Sequence, residues 1–379
     1  MKRVMHVIAG LGTGGTEVMC LRLARHWQGR FDQHILAWET SSRSLERDFQ
    51  QLSQTSVSVI PPDKQTHLQR WRWVRAKVAQ VKPDAVLIHC FGIPHIISAV
   101  AARSVGVNSI SAWAGNPPSR TLISRLRFTA VLMASRVVQC PVVSCSSAVA
   151  QEFGKLSIGM PARSAIVPNA IDVANILSTA RKSRDSRCDL TPTIAMVSRL
   201  DVIKDHATLL DAFTKIHCDI PNARLWIIGD GSLRTSLEER AHNLGISRST
   251  TFFGNRTDVA SLLGQADVFA FSTTRDEGFG IVLIEAMAAG ISIVATDVAA
   301  CREVLANGEA GLLVAPSDAD ALALALCNVL NTPELRARMS SNSLRRVRAE
   351  YSIERCAQRW ETQLFGTQQP IDRLVECES

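Results

Sequence analysis

With 379 residues, 46% of them hydrophobic and 20% charged, the chain has the composition of a folded globular protein, which excludes intrinsic disorder, and it is long enough for two cores. Its net charge of +7 sits in the first half, where residues 1–180 hold 20 Lys/Arg against 9 Asp/Glu, while residues 181–379 hold 22 against 26; no helix-turn-helix, finger or RNP signature accompanies that charge, which argues against a nucleic-acid partner. The ten cysteines form no CxxC pair and no Cys/His cluster spaced for zinc, and Met1-Lys2-Arg3 leads into only a short apolar run, so the expectation is a cytoplasmic chain with no signal peptide or membrane span, peripheral at most on the inner face of a membrane.

The first predicted strand, Val4 to Ala9, runs into the glycines Gly10, Gly12, Gly14 and Gly15, and a helix follows from Glu17 to Arg25. Gly10, Gly12 and Gly15 satisfy GxGxxG, a turn that lets backbone amides approach a diphosphate. Glu39, at the end of the next strand, stands where a dinucleotide-binding fold places its ribose acid, so an NAD-dependent oxidoreductase is one alternative. Further β-branched runs at His34–Trp38, Val57–Ile60, Ala85–Ile88, Asn108–Ser111 and Val142–Cys145 alternate with helical segments. That alternation predicts a parallel, helix-covered sheet. Two basic clusters, Arg70 to Lys77 and Arg120 to Arg127, interleave cations with Trp, Leu and Phe, a composition suited to an anionic membrane surface. After Ile88, His89 and His95 follow a strand end and are candidates to line a cleft.

A polar stretch, Ser178 to Asp185, followed by Thr191-Pro192, reads as a linker. Beyond it the alternation restarts with Thr193–Ser198, Arg224–Ile228, Thr250–Phe253, Asp267–Phe271, Ile291–Ala295 and Gly311–Val314. The fold class expected is therefore α/β, with two Rossmann-like doubly wound parallel-sheet domains facing a central cleft. The divisions expected are residues 1–175, residues 176–352, and a closing helix and tail over 353–379 packing back toward the first domain. In such sheets ligands bind beyond the carboxyl ends of the strands, which directs attention to the loops after Ala9, Ser198, Ile228 and Ser272.

Two cations, Arg199 and Lys204, follow the strand ending at Ser198; a planar guanidinium and a mobile ammonium together suit a diphosphate leaving group. After Phe271, the carboxylates Glu277 and Glu285 bracket a helix start, with Gly278, Phe279 and Gly280 exposing amides at its N-terminus and Ile281 and Val282 continuing it. Asp318-Ala319-Asp320 precedes an apolar helix and reads as a cap, not a metal site. His6, inside a strand, and His206, beside a cap, are read as structural.

Glu277 to Glu285 resembles the E-x7-E motif of retaining GT-B glycosyltransferases of family 4. Ser198-Arg199-Leu200…Lys204 resembles that family's diphosphate clamp, Gly229-Asp230-Gly231 its nucleotide-side turn, Val167 to Asp172 its interdomain segment, and Gly10 to Glu17 its N-terminal glycine loop, so nearly the whole chain is covered. The resemblance implies that Arg199 and Lys204 hold the diphosphate, Glu285 the ribose, and Glu277 with the amides of Gly278 to Gly280 the donor sugar, with Gly229, Phe279, Ile281 and Val282 beside them. Gly14 and Gly15 would approach the phosphates; apart from the resemblance, Gly12, His89, Trp113 and Asn116 are expected on the acceptor side. It further implies retention without a metal or other cofactor, a UDP- or GDP-linked hexose as donor, and a lipid-linked or polysaccharide acceptor. The family commonly places a histidine after the fifth strand, where this chain has Ala114. That departure leaves open a nucleotide-sugar-binding partner subunit without turnover.

Overall fold

A computed structural model of the chain describes residues 1–12, 14–39, 43–115, 121–156 and 165–366. They form two compact units: Met1–Cys145, Val149–Val167 and the chain from Glu354 make the first, and Ser146–Ala148 with Pro168–Ile353 make the second.

The first unit holds β1 (Arg3–Ile8), β2 (Asp32–Ala37), β3 (Thr55–Val59), β4 (Ala85–Ile88), β5 (Ser109–Ala114) and β6 (Val142–Ser144), all parallel, in the order β3-β2-β1-β4-β5-β6. The second holds β7 (Thr193–Val197), β8 (Arg224–Ile228), β9 (Thr250–Gly254), β10 (Val268–Phe271), β11 (Ser292–Thr296) and β12 (Leu312–Val314), in the order β12-β11-β10-β7-β8-β9. Read outward from its own first strand, each sheet has the same doubly wound order. Parallel neighbours require crossovers, and the intervening helices cover both faces, so central strands such as Ala85–Ile88 are buried along their whole length. In each unit the strand order reverses next to the first strand, between β1 and β4 and between β7 and β10. At such a point the two flanking loops diverge and leave a crevice at the carboxyl edge.

The stretch Ser178–Asp185, expected as a linker, is instead the end of the helix Val173–Asp185. Asp172 caps that helix by accepting from the Asn175 amide, and Leu177 and Ala180 are buried along its inner side. The last helix, Ile353–Phe365, buries Cys356, Ala357, Trp360 and Leu364 at helical spacing. Its contacts lie in the first unit: Trp27 Nε1 donates to Glu361 at 2.9 Å, Arg30 pairs with the same carboxylate at 2.8 Å, and Phe31 stacks on Phe365 at 5.6 Å. Asp318 caps the helix Ala319–Asn331 by accepting from the Ala321 amide at 2.8 Å.

Candidate active site

At the carboxyl edge of the second sheet, the loop after β7 carries Lys204 and the loop after β10 carries Glu277. Their side chains form an ion pair and are only 12% and 10% exposed. Lys204 Nζ also lies 4.7 Å from the centre of the Phe271 ring, the last residue of β10. The Thr273 hydroxyl stands 3.3 Å from the Glu277 carboxylate and 3.1 Å from the Ile203 carbonyl, tying the two loops together. The loop after β7 is further fixed by His206, whose ring contacts the Ser198 hydroxyl at 2.9 Å and the Lys204 carbonyl at 3.1 Å. Burial lowers the His206 pKa to about 4, so the ring is a neutral strut. Arg199 is on the same loop, with its side chain 77% exposed and paired with Asp201 at 3.0 Å.

The neighbouring loop after β8 packs backbone to backbone against this one. Leu200 donates its amide to the Asp230 carbonyl at 3.0 Å. Gly229 has φ +134°, and a β-carbon there would fall 1.9 Å from the Ser198 carbonyl oxygen. Only glycine permits that approach. After Glu277 the chain turns through Gly278, buried Phe279 and Gly280, the last in the left-handed region at φ +79° and capping the helix Ile281–Ala289. Amides thus stand at a helix N-terminus beside a cation, an arrangement suited to an anion. Glu285 is partly buried along the same helix, two positions beyond the buried Leu283.

In the first unit the crevice between β1 and β4 opens into a cavity of about 850 Å³. Its wall is largely apolar, from Phe91, Ile93, Trp113, Phe128 and Val131, with Glu17, His89, Cys90 and Arg127 as its ionisable members. His89 and Trp113, expected on the acceptor side, both line it. Trp113 is held by an Nε1–H bond of 3.1 Å to the Val167 carbonyl. Gly12 and the exposed Gly14 belong to the loop after β1, and Gly14 caps the helix Gly15–His26, whose first residue, Gly15, is also exposed. Asn116 lies outside the described residues. His95 does not line the cavity: it is fully buried, with its ring 5.4 Å from Phe91 and its Nε2 3.5 Å from the Ser135 hydroxyl. The sequence reading missed Phe271 and Thr273, which shape the ion pair, and Glu17, Phe91 and Phe128, which shape the cavity. No local spacing distinguishes these residues from ordinary core and loop positions.

A sequence profile described as "Glycosyl transferases group 1" matches residues 182–346, and one described as "Glycosyltransferase Family 4" matches residues 13–175. The chain is similar to the phosphatidyl-myo-inositol mannosyltransferase of Mycolicibacterium smegmatis, with 37% identity over 194 residues, covering 49% of this chain and 48% of the relative. It is also similar to the lipopolysaccharide core biosynthesis glycosyltransferase LpsE of Rhizobium meliloti, with 28% identity over 189 residues, 50% of this chain and 54% of LpsE. The matches span about half the length of these curated relatives. In fold it is similar to Anabaena HepE, whose crystal structure was determined in complex with UDP, at a TM-score of 0.81 and 20% identity, covering 96% of this chain and 99% of HepE.

Proposed function

Because the chain belongs to glycosyltransferase family 4 and has the GT-B fold, we propose that it moves a hexosyl group from a UDP- or GDP-linked sugar to a lipid-linked or saccharide acceptor in cell-surface polysaccharide synthesis. The observation that carries this reading is the sequestered Lys204–Glu277 pair at the strand-order reversal of the second sheet, beside a glycine turn that opens a helix. Lys204 and Arg199 hold the diphosphate, and Lys204, already shielded from water, stabilises the negative charge that grows as the leaving group departs. Glu277, an acceptor of hydrogen bonds only, takes donor-sugar hydroxyls, and Glu285 takes the ribose. Transfer occurs with retention and needs no metal, because these cations and the amides of Gly278 to Gly280 carry the phosphate charge. Family membership sets aside the hydride-transfer alternative built on Gly10 to Gly15 and Glu39.

The name of the Mycolicibacterium relative supports a lipid acceptor, and the UDP bound to HepE supports the donor class. A membrane-facing surface fits that acceptor. The helix Leu122–Val137 buries only Ser135, exposes Leu122, Ile123, Leu126, Met133 and Val137, and carries Arg125, Arg127 and Arg136 with no acidic residue. Exposed apolar side chains interleaved with arginine suit an anionic lipid interface. No helix among the described residues is long and apolar enough to cross a membrane.

The test is thermal unfolding with UDP, GDP, ADP and NAD in turn. A ligand present at about a hundredfold over its Kd stabilises the fold by about 2.7 kcal/mol. A shift selective for UDP or GDP is expected, and a shift with NAD alone sinks the reading.

A further inference from the structure

Beneath the cavity of the first unit runs a chain of buried polar side chains whose hydrogen-bond polarity can be read from one end to the other. Gln33 Nε2 stands 3.0 Å from the Ala24 carbonyl, which can only accept, so the amide's oxygen must face the other way. That oxygen lies 3.2 Å from His6 Nε2, which must therefore carry the proton. His6 Nδ1 is left with its lone pair and lies 3.0 Å from His89 Nε2, which must donate. Burial lowers both histidines, His6 to about 4 and His89 well below its usual value, so neither ring carries a second proton at neutral pH. Each ring then has one protonated nitrogen, and in His89 the unprotonated one is Nδ1. His89 lines the cavity.

We propose that Gln33 and His6 are positioning residues that lock the His89 tautomer, so that His89 offers the cavity an Nδ1 lone pair as a fixed hydrogen-bond acceptor for a hydroxyl of the acceptor substrate. The inference rests on the glycosyltransferase reading for the identity of that hydroxyl. The locked tautomer discriminates: a hydroxyl donates to it, while a carbonyl or phosphate oxygen in the same place meets another lone pair. Cys20 Sγ, one ring nitrogen of His6 and one of His89 lie within 4.8 Å of one another, which raises a His/His/Cys metal site as the rival. If those nitrogens were His6 Nδ1 and His89 Nε2, both would need lone pairs aimed at an ion, whereas here they face each other at 3.0 Å.

The experiment is long-range 15N NMR on the full chain labelled at histidine, together with metal analysis of the purified protein. His6 and His89 are expected as neutral Nε2–H tautomers at pH 7, and Gln33→Leu, which removes the acceptor of the His6 proton, releases that pattern. An Nδ1–H or doubly protonated His89, or stoichiometric zinc, overturns the proposal. Transfer to n-octyl glycosides supplies the functional arm. His89→Gln, which removes the acceptor at the Nδ1 position, loses about tenfold, the loss of one hydrogen bond, through acceptor KM and not donor KM. An unchanged acceptor KM, or an equal loss in donor KM, overturns it. If neither nucleotide binding nor transfer is found, the glycosyltransferase reading fails while the tautomers are still read.

Discussion

Lys204 and Glu277 are 73 positions apart in sequence, yet they form the least solvated ion pair near the carboxyl edge of the second sheet. Such a pair contributes little to stability by itself, because desolvation offsets much of the attraction, but removing one member leaves the other uncompensated. Lys204→Ala is therefore expected to lower kcat by about 10²- to 10³-fold, as the loss of one charge-stabilising donor does. It should also lower the ligand-free melting temperature, whereas Arg199→Ala, removing an exposed side chain, should leave that temperature unchanged. Calorimetry alongside a turnover assay separates the two effects, and a Lys204→Ala enzyme with near-normal turnover would sink the assignment. At Gly229 the backbone itself is the constraint. Gly229→Ala must displace the Ser198 carbonyl or abandon φ +134°, at a cost on the order of 1–3 kcal/mol; a variant that unfolds in urea like the parent would contradict this.

Among the elements, the helix Leu122–Val137 buries only Ser135 and exposes five large apolar side chains. Replacing Leu122 and Ile123 together with glutamate should abolish co-sedimentation with vesicles rich in anionic lipid and leave thermal unfolding unchanged, since both side chains are exposed. Retained binding would remove this helix from the membrane proposal. The elements also show where the sequence was legible. All twelve strands are visible as short runs, the central ones such as Ala85–Ile88 most plainly, because strands buried on both faces are apolar throughout. The helix Val173–Asp185 was not, because only Val173, Leu177 and Ala180 face inward and its remaining polar positions read like a linker. Lys204, Glu277 and Glu285 stand out in the sequence because they sit within motifs of fixed spacing, and the fold pairs the first two. The relay was not legible, because His6 is separated by 27 positions from Gln33 and by 83 from His89, and only the pairing of β1 with β2 and β4 brings them together.

At the scale of the molecule, the buried histidines divide unevenly. His6, His34 and His95 in the first unit have pKa values lowered to about 4, and His89 is lowered too, while His206 stands with such a shift in the second. In each case burial lowers the folded pKa below that of the unfolded chain. The unfolded state therefore binds the extra proton first, and stability present above about pH 6.5 is lost as pH falls toward 4, on the order of 3 kcal/mol for each histidine lowered to about 4. The first unit should unfold in acid before the second. Tryptophan fluorescence can follow this, since six of the seven tryptophans belong to the first unit and only Trp226 to the second. Coincident acid transitions would count against it. The helix Ile353–Phe365 carries a different consequence. It completes the first unit around Trp27, Arg30 and Phe31, yet in the chain it follows the whole of residues 168–353. On a ribosome adding about 5–20 residues per second, the surface around Trp27 must wait on the order of 15–70 s for its partner helix. The unit made first is thus the one finished last, and during synthesis its open flank is where a chaperone has most to cover.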